Sequence, residues 1–105
     1  MNDKKILTEL RSLLTERFPD QIEKIILFGS RASGSPDIYS DHDVLIVLKS
    51  DYNWRLKQSI QEVCWEIDYK YDILTDVKVI SLAELHTIKG KQPYITNALQ
   101  YGIAV

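Results

Sequence analysis

Apolar residues along the chain follow two rhythms, one of helical period and one nearly continuous, and their alternation predicts the order of elements. Ile6, Leu7, Leu10, Leu13, Leu14 and Phe18 recur at helical spacing with charged residues between them. That spacing predicts an amphipathic helix lying on a sheet. Asn2 or Asp3 can cap its start, and Pro19 ends it. Residues 22–28 read as a first strand, ending abruptly at Gly29-Ser30. Val44 to Leu48 is apolar at every position, which predicts a strand covered on both faces. Residues 51–69 form the longest helical segment, with Leu56, Ile60, Val63, Cys64 and Ile67 on its core face. Residues 71–80 read as a third strand, and Ser81-Leu82-Ala83-Glu84 carries the capping-box pattern of a short helix running to about Ile88, broken by Gly90. Pro93 suits the first turn of a further helix, 94–101, with Gly102 at its C-terminal cap. Ile103-Ala104-Val105 is too short to classify.

Two residues break the helical pattern of 51–69. Trp54 and Trp65 fall within about 20° of each other on an ideal helix, opposite the core stripe, and Tyr69 leans to the same side. Such rings are costly to leave in water. The expectation is that this outer face docks a second protein chain; burial under the first or last helix is the alternative.

Length and composition narrow the class. The 105 residues predict a single domain, 1–105, with one core. A formal net charge of -2 gives no basic footprint, so direct nucleic-acid binding is not expected. The single Cys64 excludes an internal disulfide, and a reducing cytoplasm is the expected location. The N-terminus leads into an amphipathic pattern rather than a signal core. No apolar run approaches the roughly 20 residues that cross a bilayer, so no membrane association is expected.

The chemistry concentrates at the two strand junctions. Gly29 permits a sharp turn and close approach to a ligand. Free amides of the turn that follows, beginning at Ser30 and Arg31, favour anions. Arg31 either adds charge there or is a solvated arginine. Asp41 and Asp43 stand two apart at the mouth of the second strand and so project to one side, roughly 7 Å apart at the backbone. Their mutual repulsion makes a shared divalent cation the simplest stabilising partner. His42, between them, faces the other side and reads as structural. Asp72 and Asp76 share one parity on the third apolar run, so either can face the same site. Asp37 reads as a turn residue, and Lys89 and Lys91 as a solvated loop.

Gly29-Ser30 with Arg31-Ala32-x-Gly34, followed by Ser40-Asp41-x-Asp43 before an apolar strand, resembles the signature of DNA polymerase β-type nucleotidyltransferases. From about Ile22 to Ile103 the chain resembles the minimal nucleotidyltransferases, which are often the antitoxin partners of HEPN-type RNase toxins. The resemblance implies an α+β fold with a short mixed sheet flanked by helices. It implies that Gly29, Ser30 and Arg31 bind the triphosphate of ATP or another NTP. It also implies two Mg²⁺ ions, about 4 Å apart, bridged by Asp41 and Asp43. A third carboxylate is needed from a neighbouring strand. Asp76 fits the family's order of aspartate, apolar strand and serine-opened helix; Asp72 is the alternative ligand.

The implied reaction moves an NMP, AMP in the first instance, onto a hydroxyl of a partner protein, a HEPN-type toxin, so that the chain acts as its antitoxin. A small-molecule acceptor such as an antibiotic is one alternative. A toxin-binding module without chemistry is another, and Gly29-Ser30 with Asp41-x-Asp43 argues against it, because binding alone does not need them. The chain leaves no length for a separate acceptor domain, which favours a protein acceptor or self-association.

Overall fold

A strand can be apolar at every position only when both of its faces are covered, and in the computed structural model the central strand is. The structure describes residues 3–29 and 41–105. The central strand, β2 (His42–Leu48), runs antiparallel to β1 (Ile22–Phe28) and parallel to β3 (Thr75–Ser81). The two-residue strand β4 (Ile103–Ala104) pairs antiparallel with the other side of β1, giving the order β3-β2-β1-β4. The fold is therefore α+β, with a short mixed sheet flanked by helices.

Helices α1 (Asp3–Arg17) and α2 (Trp54–Tyr71) cover one face. Ile6, Leu7, Leu10 and Leu14 meet Ile60, Val63, Cys64 and Ile67 over Ile25, Leu27, Val44, Ile46 and Leu48. Helix α3 (Pro93–Tyr101) covers the other face, where Ile95 and Ala98 pack on Ile26, Phe28, Leu45, Val47 and Ile80. Period-two alternation within β1 and β2 thus divides one apolar run between two cores. Asn53 starts α2 by accepting the Leu56 amide at 2.9 Å.

Three sequence expectations shift. The third strand begins at Thr75 rather than residue 71: Tyr71 ends α2, and Asp72 follows in the left-handed conformation, φ 52° and ψ 51°. The capping box at Ser81 forms, with Glu84 N–H donating to Ser81 Oγ at 3.2 Å and Ser81 N–H to Glu84 Oε1 at 3.1 Å. It opens two 3₁₀ turns, Glu84–His86 and Ile88–Lys91, rather than one helix. Gly90 lies buried within the second turn, where a Cβ would stand 2.1 Å from the Leu85 carbonyl oxygen; close packing, not helix breaking, selects it. Among the described residues no helix is long and apolar enough to cross a membrane.

Candidate active site

Register brings three segments to one end of the sheet. Asp43 is paired with Phe28 across β1 and β2, and with Asp76 across β2 and β3. Paired residues on parallel strands project to the same face, so Asp43 and Asp76 stand side by side on the α3 face. Asp41 immediately precedes the strand and is exposed. The backbone joint is secured by the His42 N–H, which donates to the Leu74 carbonyl at 2.9 Å.

Gly29 completes this end for two reasons. Its φ of +76° lies in the left-handed region that side chains disfavour. A Cβ built there would also lie only 2.2 Å from Asp43 Oδ2. The space that a side chain would take is occupied by the carboxylate.

Electrostatics show that the neighbouring carboxylates act on Asp43. The Asp43 carboxyl is pushed above the usual carboxylate range, first by burial and then by the charges of Asp76 and Asp41. Lys78 and His42 oppose that shift. The Lys78 ammonium lies 3.4 Å from Asp76 Oδ1, both side chains about half exposed. Sequence reading passed over Lys78, although it stands two residues beyond Asp76 and so shares its parity. The period-two rule was the signal that pointed to it.

The remaining expected residues are distributed as follows. Asp72 ends α2 and takes no place in the sheet, and among the described residues the charges acting on Asp43 are those of Asp76, Asp41, Lys78 and His42. Ser30 and Arg31 lie outside the described residues. His42 is buried, its Nε2 2.9 Å from Asp3 Oδ1 on α1. Trp54 and Trp65 are 69% and 55% exposed on the outer side of α2, with the Arg55 guanidinium 5.4 Å from the Trp54 ring centre.

Among the described residues, no three His, Cys, Asp or Glu side chains form a ready-made metal cage. The donor set still suits Mg²⁺, which keeps several waters and takes one or two carboxylates together with substrate phosphates. Two facing aspartates whose proximity raises the charging cost of one of them fit that requirement.

Comparison with known proteins bears on this geometry. A sequence profile of the nucleotidyltransferase domain matches residues 4–105. Two Methanocaldococcus jannaschii proteins named for protein adenylyltransferase activity are similar over nearly their whole length. MJ0141 is 33% identical over 96% of this chain and 96% of its own. MJ0604 is 30% identical over 97% of this chain and 96% of its own. Among solved structures, a toxin–antitoxin crystallised with AMP-PNP superposes with a TM-score of 0.64 at 18% identity, over 98% of this chain and 72% of that one. A mutant MntA–HpeT toxin–antitoxin superposes with a TM-score of 0.62 at 19% identity, over 99% and 72%. At these identities the structural likeness is one of fold.

Proposed function

The chain belongs to the nucleotidyltransferase domain family as a minimal member of the polymerase β superfamily, and from that premise we propose that it transfers AMP from ATP to a hydroxyl of a partner protein. The observation that carries the proposal is the pairing of Asp43 with Asp76 at the strand end closed by Gly29. Relatives named for protein adenylyltransferase activity, matching over nearly the full length, support a protein as acceptor.

Each residue then has a distinct task. Asp41, Asp43 and Asp76 would hold Mg²⁺. When bound, the metal supplies charge neutralisation at the phosphates and eases ionisation of the attacking hydroxyl. Gly29 lets the backbone approach the phosphates, with Ser30 and Arg31 as their further partners. Asp76, on an edge strand and exposed, would accept the proton of the attacking hydroxyl. The hydroxyl oxygen bonds to the α-phosphorus while the bridge to the β-phosphate breaks, and pyrophosphate leaves. Lys78 offsets negative charge beside Asp76 in the ligand-free chain. Positioning and fixed charge supply most of the acceleration in such a site.

The acceptor in this reading is a HEPN-type RNase toxin, and transfer silences it. The exposed Trp54 and Trp65 face is its docking surface, because exposed tryptophan is the residue that most often anchors a partner. An ATP donor agrees with the reducing cytoplasm expected for the chain. Intact-mass spectrometry of the protein encoded beside this one, incubated with the chain, ATP and Mg²⁺, tests the proposal. Mass gained in AMP units is the expected result. An unaltered partner, under conditions where ATP is bound, would overturn the protein acceptor.

A further inference from the structure

His42 lies between Asp41 and Asp43, and strand alternation sends its ring to the opposite face of the sheet. That face is the aliphatic core beneath α1 and α2. The residue is 2% exposed, and its Nε2 stands 2.9 Å from Asp3 Oδ1 at the start of α1. An ionised carboxylate only accepts, so Nε2 carries a hydrogen and donates it to Asp3. Nδ1 has no hydrogen-bond partner among the described residues. Beside it on β3 is its register partner, Thr75, also buried. Thr75 and His42 are close enough to Asp68 of α2 to oppose the rise that burial causes in its pKa. Yet among the described residues Thr75 Oγ1 and Asp68 Oδ1 make no hydrogen bond of normal geometry.

Polar groups from α1, α2, β2 and β3 therefore meet under the acidic strand end, in surroundings that would accept an aliphatic side chain at less cost. Leaving a buried polar atom unpaired costs about 1–3 kcal/mol. An aliphatic residue would supply burial, which has no direction. The imidazole adds a directed bond to α1. On the opposite face Asp43 is seated in the space left by Gly29, and the backbone between is bonded to Leu74. Rotation of this peptide segment would carry both flanking carboxylates with it.

We propose that His42 is a positioning residue, holding the end of β2 so that Asp41 and Asp43 keep the orientation that their shared cations require. The proposal rests on the active-site reading given above. The test uses His42→Phe, Asp3→Ala and Asp3→Asn, with Mn²⁺ affinity measured by electron paramagnetic resonance in the presence of ATP, and turnover and melting temperature measured alongside. Phenylalanine fills the ring's place without its nitrogens, so His42→Phe should stay folded and lose roughly tenfold in Mn²⁺ affinity and in turnover, the scale for residues supporting metal ligands. Asp3→Ala should move both in the same direction, and Asp3→Asn, whose amide oxygen still accepts from Nε2, should restore them. Wild-type affinity and turnover in folded His42→Phe and Asp3→Ala would overturn the proposal. If His42→Phe does not fold, the contrast between Asp3→Ala and Asp3→Asn decides alone. Failure of the wild type to bind Mn²⁺ with ATP would instead overturn the active-site reading and this proposal with it.

Discussion

Substituting Gly29 by alanine should separate a small folding cost from a large chemical one. The added Cβ must occupy a φ of +76°, which costs about 1–2 kcal/mol for a residue with a side chain. For a chain of this size that is a fall of roughly 5–15 °C in melting temperature, so the variant still folds. The functional effect is larger. Asp43 Oδ2 would lie 2.2 Å from the new carbon and must withdraw by about 1.2 Å to reach ordinary contact at 3.4 Å. An aspartate side chain can make that movement, so the clash adds little to the folding cost. A displacement of about 1 Å at a reacting centre, however, costs on the order of a hundredfold in rate. Transfer from labelled ATP, assayed well below the variant's midpoint, should fall by about that factor. Gly29→Asn is the control, because asparagine tolerates left-handed backbone better yet carries the same Cβ. It should regain stability but not activity. Activity of Gly29→Ala within about threefold of wild type, or recovered together with stability in Gly29→Asn, would refute the seating of Asp43 against Gly29.

Three further outcomes are expected. Asp76→Asn should lower transfer far more than Asp72→Asn, because Asp76 stands in register with Asp43 while Asp72 ends α2; comparable losses in steady-state turnover would remove Asp76 from its assigned role. Trp54→Ala combined with Trp65→Ala should weaken the partner complex by more than about 2 kcal/mol while hardly changing the melting temperature, since both rings are exposed; calorimetry showing unaltered association would remove this face from the interface. Burial, with a smaller contribution from Asp68, pushes the Cys64 thiol up to about 12. Below the ordinary thiol range the group is neutral folded and unfolded and contributes nothing. Above it the unfolded chain ionises first, so stability should fall with rising pH up to about 12, more steeply than in Cys64→Ala; parallel denaturation profiles from pH 8 to 11 would contradict this.

Much of the scaffold was legible because strongly patterned segments leave little choice. The run 22–28 is β1 residue for residue, and the unbroken apolarity of 44–48 predicted a strand between two cores. The start of β3 was not legible, because Tyr71, Ile73 and Leu74 continue an apolar pattern through a helix end. What stops α2 is a left-handed aspartate, Asp72, where glycine or asparagine is the usual signal. β4 has two residues and no pattern of its own; it exists because β1 offers a free edge. At the site, motif spacing pointed to Asp41 and Asp43, while the family resemblance preferred Asp76 to Asp72 as the third carboxylate. The fit of Asp43 against Gly29, the Lys78–Asp76 ion pair and the His42–Asp3 bond depend on segments distant in sequence meeting at one strand end. No local pattern encodes those contacts.

Nucleotidyl transfer to a partner protein, carried by these aspartates, is the reading on which the rest depends. It is tested most directly with Asp43→Asn, which removes charge but hardly any volume. The measurement is transfer of label from α-labelled ATP to the partner protein, with Mg²⁺ present and absent, for wild type and variant. Mg²⁺-dependent labelling by the wild type is expected, and none by an Asp43→Asn variant that is folded. Labelling by Asp43→Asn at the wild-type rate would contradict it.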